Sequence, residues 1–277
     1  MFLYGYPIPT DMLFTLDSQP QIALFSNLLE KGSSIKHFVS TTFSPTGVSF
    51  NLSLNVGDNS NQVVANRANL ALRLGVKLDQ MVFANQVHGS EVALITAEQA
   101  GSGARALHSA IPNTDAMVTN APGVMLVTLA ADCVPILFFD PVKRAIGVAH
   151  AGWKGTVAKI PAQTIRAMQE HFGSVPSDII VSIGPSIGAC CYEVGYDVVV
   201  AADKAFGAGN PFVLMDMEHS KPVFDLWKAN LKSLTDVGVT PSNVEIARIC
   251  TKCHADFFFS ARNGHNGRFV AGIMLCE

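Results

Sequence analysis

The chain is poor in charge. Only 15% of its 277 residues are Asp, Glu, Lys or Arg, against roughly 25% in ordinary soluble domains. With 49% hydrophobic residues and a mean hydropathy of +0.30, there is ample apolar surface to offset chain entropy, which excludes disorder. Nineteen basic residues stand against 22 acidic ones, and nowhere do more than two Lys or Arg adjoin. The electrostatic footprint of a nucleic-acid binder is therefore missing. An uninterrupted apolar run of about 20 residues is also missing. The longest candidate, Pro122 to Asp140, contains Asp132, Cys133 and Pro135. The first 15 residues lack a cationic start and contain Pro7, Pro9 and Asp11, unlike a secretory signal. These absences predict a cytoplasmic protein without membrane contact. The low charge leaves room for a homodimer interface. Six cysteines are too few for a disulfide scaffold of this size and should be thiols in that compartment.

No repeat, low-complexity tract or linker divides the chain. Residues 1–35 read as an irregular lead-in, and 36–277 as one domain. Ser60 to Leu74 has apolar residues at helical spacing, with Asn59 or Ser60 as its cap. Met81 to Thr96 reads as one strand carrying His88. Val124 to Ala130 and Val134 to Phe139 are strands joined through Asp132-Cys133, and Ala145 to Ala151 is a buried strand ending in His150. A helix follows from about Thr156 to His171. A strand near 256–261 and a Gly264–Gly267 hairpin lead into Phe269 to Cys276. Strands occur both in runs and between helices, which predicts a mixed α+β architecture.

His88, Cys133 and His150 stand at or near strand ends beside the small residues Gly89, Ala131, Ala149 and Ala151. Two imidazoles and a thiolate are donors that zinc prefers, and three ligands leave a fourth position open. The same residues also suit metal-free chemistry. Cys133 would then be a nucleophile, a histidine its base, and Asp132 the group orienting that histidine. Gly152-Trp153-Lys154-Gly155 opens a helix whose free N–H groups, with Lys154, suit a phosphate or carboxylate. Arg67 and Arg262 are further anion candidates. Cys250-Thr251-Lys252-Cys253-His254 has the spacing of a c-type haem attachment site, but no export signal accompanies it. Cys190-Cys191 reads as a pair of small buried residues lining a loop.

Several segments together resemble one family. They are Asn85-Gln86-Val87-His88-Gly89, Thr114-Asp115-Ala116, Ala131-Asp132-Cys133-Val134-Pro135 and His150-Ala151-Gly152-Trp153-Lys154-Gly155-Thr156. Ile183-Gly184-Pro185-Ser186-Ile187-Gly188, Cys191-Tyr192-Glu193-Val194 and Phe259-Ser260-Ala261-Arg262 continue the series. The chain resembles the YfiH-like family, also called laccase-domain or multicopper polyphenol oxidase, from about residue 36 to the C-terminus. The resemblance implies a single-domain, four-layer α/β/β/α sandwich with mixed sheets, similar to the catalytic domain of cytotoxic necrotizing factor, a Cys–His deamidase. It places the family's metal triad on His88, Cys133 and His150. It also implies a zinc-dependent purine nucleoside phosphorylase with adenosine deaminase activity, acting on adenosine, inosine, guanosine and S-methyl-5′-thioadenosine with phosphate. The chain departs from the family at Thr42, where Arg is usual, at Thr46, where Gly is usual, and at Lys154, where Arg is usual.

Two other enzyme classes compete. A copper-dependent polyphenol oxidase would use copper on two His and a Cys, with Met117 or Met125 as an axial ligand. The lack of any His-x-His pattern argues against a multicopper centre. A metal-free Cys–His amidase acting on a peptide or cell-wall precursor would use the same triad. A dimerising or ligand-binding module is the non-catalytic reading.

Overall fold

The computed structural model describes residues 12–14, 21–43, 49–214 and 221–277, with the backbone of 2–3 and 6–7. Thr46 and most of the stretch before residue 21 lie outside the described residues. In chain order the strands are β1 (Phe2–Leu3), β2 (Tyr6–Pro7), β3 (Leu13–Phe14), β4 (Ile22–Leu24), β5 (Ile35–Ser40), β6 (Met81–Phe83), β7 (Val92–Leu94) and β8 (Ala116–Thr119). They continue with β9 (Met125–Ala130), β10 (Val134–Asp140), β11 (Ala145–Ala151), β12 (Ile180–Ile183), β13 (Val213–Leu214), β14 (Val223–Phe224), β15 (Val244–Ile246) and β16 (Phe269–Leu275). The α-helices are α1 (Ser26–Leu29), α2 (Ser60–Leu74), α3 (Trp153–Val157), α4 (Ile160–Phe172), α5 (Tyr196–Phe206) and α6 (Leu226–Thr235). None is long and apolar enough to cross a membrane.

Two six-stranded mixed sheets dominate. The first has the order β3-β4-β5-β16-β9-β6 and the second β15-β12-β10-β11-β8-β7. Leu126, Ala271 and Ile273 of the first sheet share a core with Leu137, Phe139, Ile146 and Val148 of the second. Every residue of β10, β11 and β16 is buried, which is why these segments are near-continuous apolar runs. On the outer face of the first sheet, Phe38, Val127 and Val270 pack with Leu70 and Ala71 of α2. On the outer face of the second, Ile136, Phe138 and Val181 pack with Ile165 of α4, Val198 of α5 and Leu234 of α6. Helix, sheet, sheet and helix thus follow in layers, so each sheet buries both faces.

α2 has the expected bounds. The Asn59 side chain accepts from the N–H groups of Asn61 and Gln62, and Gly75 closes the helix at φ 63°. Other expectations need correction. The Met81–Thr96 segment is two short strands, β6 in the first sheet and β7 in the second, with His88 in the crossing between them. The single helix expected over Thr156 to His171 is broken into α3 and α4. Pro161 has no N–H to continue α3, and Lys159 turns the chain at φ 58°. No strand forms near 256–261, and no hairpin at Gly264–Gly267. The run Phe257-Phe258-Phe259 is buried between the sheets from a series of turns. Residues 21–35, expected to be irregular, add β4 and α1.

His37 shows what the buried first sheet demands of a polar side chain. Its Nε2 accepts from the Phe25 N–H at 2.9 Å. Burial holds the imidazole down to about 4, from an ordinary 6.5. The unfolded chain takes up a proton near pH 6.5 and the folded chain only near pH 4. The neutral imidazole therefore contributes fully above pH 6.5, and that contribution is lost as pH falls. We expect about 3 kcal/mol of stability to be lost between pH 6.5 and 4. Urea unfolding across this range should show that slope, and His37→Gln should flatten it.

Candidate metal centre

Two crossings between the sheets build the site. The first, from β6 to β7, carries His88. The second, from β9 to β10, is the tight turn Ala131-Asp132-Cys133. β11 lies antiparallel to β10, with His150 opposite Pro135. His150 therefore ends beside Cys133. The His88, Cys133 and His150 donor atoms all lie within 4.8 Å of one another. The two imidazoles meet edge to face, with ring centroids 4.9 Å apart.

One carboxylate holds this arrangement. Asp115 Oδ1 accepts from the His88 N–H at 3.0 Å and faces His150 Nδ1 at 2.9 Å. Its Oδ2 accepts from the N–H groups of Val87 at 3.1 Å and Gly89 at 2.7 Å. These bonds explain why His88 sits at φ 60°, an unusual conformation for a residue with a β-carbon. With Nδ1 facing Asp115, His150 is left its Nε2 for the shared centre. Gln86 fixes the other side of the loop. Its side-chain amide accepts from Leu129 N–H at 2.8 Å and donates to Leu129 C=O at 2.9 Å, like an extra strand residue on β9.

Asp132 has a different task from the one expected. It does not orient a histidine. Its carboxylate accepts from the Thr251 hydroxyl and the Arg262 N–H, both at 2.7 Å, and thereby pins the Cys133 turn to a distant loop. Asp132 itself lies at φ 80°. Gly152 completes the packing. A β-carbon there would stand 2.9 Å from Cys133 Sγ and 3.2 Å from His88 Cδ2, so a side chain would push thiol and imidazole apart.

Burial would raise the Cys133 thiol, but the charge and hydrogen bonds of His150 and His88 overcome it and hold the thiol near 6. Burial would lower His150, but Cys133 and Asp115 outweigh it and hold the imidazole near 9. Without a metal, thiolate and imidazolium form an ion pair. Asp115 is buried too, yet the hydrogen bond to His150 and the Gly89 N–H keep its carboxyl below the usual range.

The triad lines a cavity of about 540 Å³. Trp153, Tyr192, Arg262 and Arg268 line it as well. The Arg262 guanidinium lies over the Tyr192 ring, 5.0 Å from its centroid, and donates to the Glu193 C=O. Arg268 is half-buried and anchored through the carbonyls of Asn266 and Gly267. Burial lowers its pKa, while the charges of Cys133 and Asp132 favour its cation. A larger groove of about 680 Å³ runs past Glu30, Glu245 and Arg248, away from the triad. Its Glu245 caps α1 through Ser26 and Asn27.

Of the anion candidates, Arg262 reaches the cavity. Arg67 does not. It is fully buried under α2, its guanidinium 3.7 Å from the Phe83 ring centroid, and it donates to the carbonyls of Leu52, Gly103 and Ala104. An Arg in an apolar context did have partners, but they are backbone carbonyls. Lys154 is exposed, with Nζ 5.7 Å from the Trp153 ring centroid, and does not line the cavity. α3 begins at Trp153, two residues before Gly155, and is only five residues long. Thr42 donates to the Asp256 C=O and also stands outside the lining. Met117 belongs to the core between the sheets and Met125 to the outer face under α2, so neither can be an axial ligand. Sequence reasoning gave no role to Asp115, Arg268, Tyr192 or Gln86. The available signal was the position of Asp115 as an acid leading directly into the apolar strand β8.

A family model described as "Multi-copper polyphenol oxidoreductase laccase" matches residues 36–276. The chain belongs to this family. It is 38% identical over 231 residues to the purine nucleoside phosphorylase YlmD of Bacillus subtilis, covering 83% of each chain. It is 36% identical over 220 residues to adenosine deaminase RL5 of an unknown prokaryotic organism, covering 79% of this chain and 84% of that one. The crystal structure of YlmD from Geobacillus stearothermophilus superposes with a TM-score of 0.87 at 32% identity. That match covers 96% of this chain and all of the other. The two-sheet fold of this laccase-domain chain is therefore the YlmD fold.

The Asp115 hydrogen bonds lead to a testable result. Asp115→Asn keeps the shape but cannot accept from N–H groups at both positions. Metal affinity of the triad should fall by about 10- to 100-fold, measured by competition with a chromogenic chelator. Arg67→Met should leave that affinity unchanged while lowering the melting temperature, because three carbonyls lose their donor.

Proposed function

We propose that this laccase-domain chain is a zinc-dependent purine nucleoside phosphorylase that also deaminates adenosine, with residues 36–277 as its catalytic unit. Its substrates would be adenosine, inosine, guanosine and S-methyl-5′-thioadenosine. The observation that carries this reading is a cavity combining a His88–Cys133–His150 donor set, aromatic side chains and two guanidinium groups. The names of the relatives, phosphorylases and a deaminase, point to the same chemistry.

The donor set fits zinc. Two imidazole nitrogens and a thiolate are preferred zinc ligands, and three protein donors leave a position for a small molecule. The metal would supply Lewis acidity for the hydrolytic step that removes the 6-amino group. Asp115 keeps His150 oriented and both histidines in register. Tyr192 and Trp153 offer faces on which a purine can stack. Arg262 and Arg268 hold phosphate beside the ribose, where its charge offsets the positive character that develops at the anomeric carbon. In that displacement a phosphate oxygen bonds to the anomeric carbon and the carbon–nitrogen bond to the base breaks. The base leaves with the bonding pair and takes up a proton.

A second reading rests on the thiolate–imidazolium pair. Cys133 near 6 beside His150 near 9 is the charge state that a metal-free Cys–His amidase would use. A fold relation to the cytotoxic necrotizing factor catalytic domain, which the family resemblance implies, would belong with this reading. The axial methionine expected for a copper centre is not supplied, since neither Met117 nor Met125 reaches the cavity.

One experiment separates these readings. Purified protein is incubated with adenosine or inosine, with and without phosphate, and products are resolved by chromatography. Metal content is determined on the same sample. Adenine and ribose 1-phosphate should form from adenosine only with phosphate, and Cys133→Ala should abolish product and lower the zinc content by one equivalent per chain. Zinc-loaded protein that leaves both nucleosides untouched would overturn the proposal. Activity that survives chelation but not thiol alkylation would overturn the zinc reading and favour metal-free Cys133–His chemistry. Arg268→Ala should raise KM for phosphate by about tenfold or more, the scale of a lost charge-assisted hydrogen bond, with zinc content unchanged.

A further inference from the structure

Four cysteines outside the cavity come together where two loops meet. Cys190 and Cys191 end the loop that follows β12, and Cys250 and Cys253 follow β15. Their four sulfur atoms all lie within 4.8 Å of one another. Cys253 Sγ is 3.5 Å from Cys191 Sγ and 3.8 Å from Cys190 Sγ. No disulfide joins any of them. Four thiolates arranged tetrahedrally at the usual zinc–sulfur distance would have sulfur atoms about 3.8 Å apart. Thiol–thiol hydrogen bonds are weak, so mutual attraction gives little reason for four such groups to gather.

The backbone is shaped around the cluster. Ser186 and Cys250 form a parallel bridge, Ser186 N–H donates to Ile249 C=O, and Thr251 N–H donates to Ser186 C=O. Cys250 Sγ accepts from the N–H groups of Gly188 and Cys253, so two fixed dipoles point at one sulfur. Gly188 lets its loop close over the group. A β-carbon there would lie 3.2 Å from Cys190 Sγ, 3.3 Å from Cys250 Cβ and 3.0 Å from the Trp227 ring.

We propose that Cys190, Cys191, Cys250 and Cys253 form a second, structural site for a thiophilic divalent cation, zinc by ligand class, independent of the His88–Cys133–His150 centre. Four sulfur donors close the coordination sphere, as structural sites do, whereas the triad leaves a position open. Such donors disfavour magnesium and calcium. Binding replaces the thiol protons, which pass to solvent, with four metal–sulfur bonds, and no electron is transferred. The ion would tie together two loops that shape the cavity. Cys191 precedes Tyr192, and Cys250 precedes Thr251, whose hydroxyl donates to Asp132. The vicinal pair and the haem-like spacing noted in the sequence are thus two halves of one cluster.

The test uses the full chain carrying Cys133→Ala, which removes one donor of the first centre. Under reducing conditions it is loaded with cobalt(II). One cobalt per chain should bind with the intense visible bands of tetrahedral tetrathiolate cobalt, and one equivalent of zinc should bleach them. Adding Cys253→Ser, at an exposed position, should abolish the bands. A second measurement needs no cysteine variant. In the unmutated chain, zinc should slow alkylation of these four thiols at least tenfold, read by peptide mass spectrometry. Cobalt that binds without thiolate bands overturns the proposal. Four thiols that alkylate equally fast with and without zinc overturn it as well. So does a disulfide within the cluster that forms in air while no metal is taken up by the reduced protein.

Discussion

Asp115 accepts from three consecutive backbone N–H groups and faces one imidazole, all from a nearly buried position. The backbone bonds hold the His88 turn in a left-handed conformation, and the fourth contact selects which nitrogen of His150 faces the centre. A carboxylate so fully engaged stays ionised although burial opposes its charge. It also supports the positive charge on His150, and His150 in turn supports the thiolate of Cys133. The charge states of the site therefore form a chain that starts at one side chain. Remove the carboxylate, and the loop geometry and the tautomer of His150 fail together.

Asp132 performs a parallel task on the other side of the thiol. By binding Thr251 and the Arg262 backbone, it carries the position of the Cys133 turn into the loop that bears one of the cavity's two arginines. Two aspartates thus divide the work. One sets the donors of the centre, and the other sets the wall facing it. The rigid parts of the two sheets end just short of both, so precision at the site comes from buried carboxylates acting on short loops.

The triad was legible because each member follows or interrupts an apolar strand, where a polar group with small neighbours has little structural purpose. α2 was legible because its periodicity and its Asn59 cap agree. What could not be read was long-range. Met81 to Thr96 is apolar enough for a strand, and only the tertiary pairing shows it leaving one sheet for the other. Arg67 looked like an anion ligand because its three acceptors are main-chain carbonyls far along the chain, invisible to residue type. Asp115 and Asp132 were both visible as acids, but the histidine was assigned to the wrong one. Register places Asp115 beside β11, and sequence adjacency had favoured Asp132. The four-cysteine cluster was split in the sequence by nearly 60 residues, and the parallel pairing of β12 with β15, extended by the bridge at Ser186, closes that gap.

The β6-to-β7 and β9-to-β10 connections step from one sheet to the other at the same end of the sandwich. Each step carries one donor, and the third comes from a strand wholly within the second sheet. All three donors are nonetheless tied to the second sheet: His150 lies in β11, Cys133 directly precedes β10, and His88 is held by Asp115 at the head of β8. The first sheet grips the His88 loop through Gln86, bonded to Leu129 of β9. Donor spacing is therefore most sensitive to substitutions along β8, β10 and β11, and least sensitive to how the two sheets are stacked.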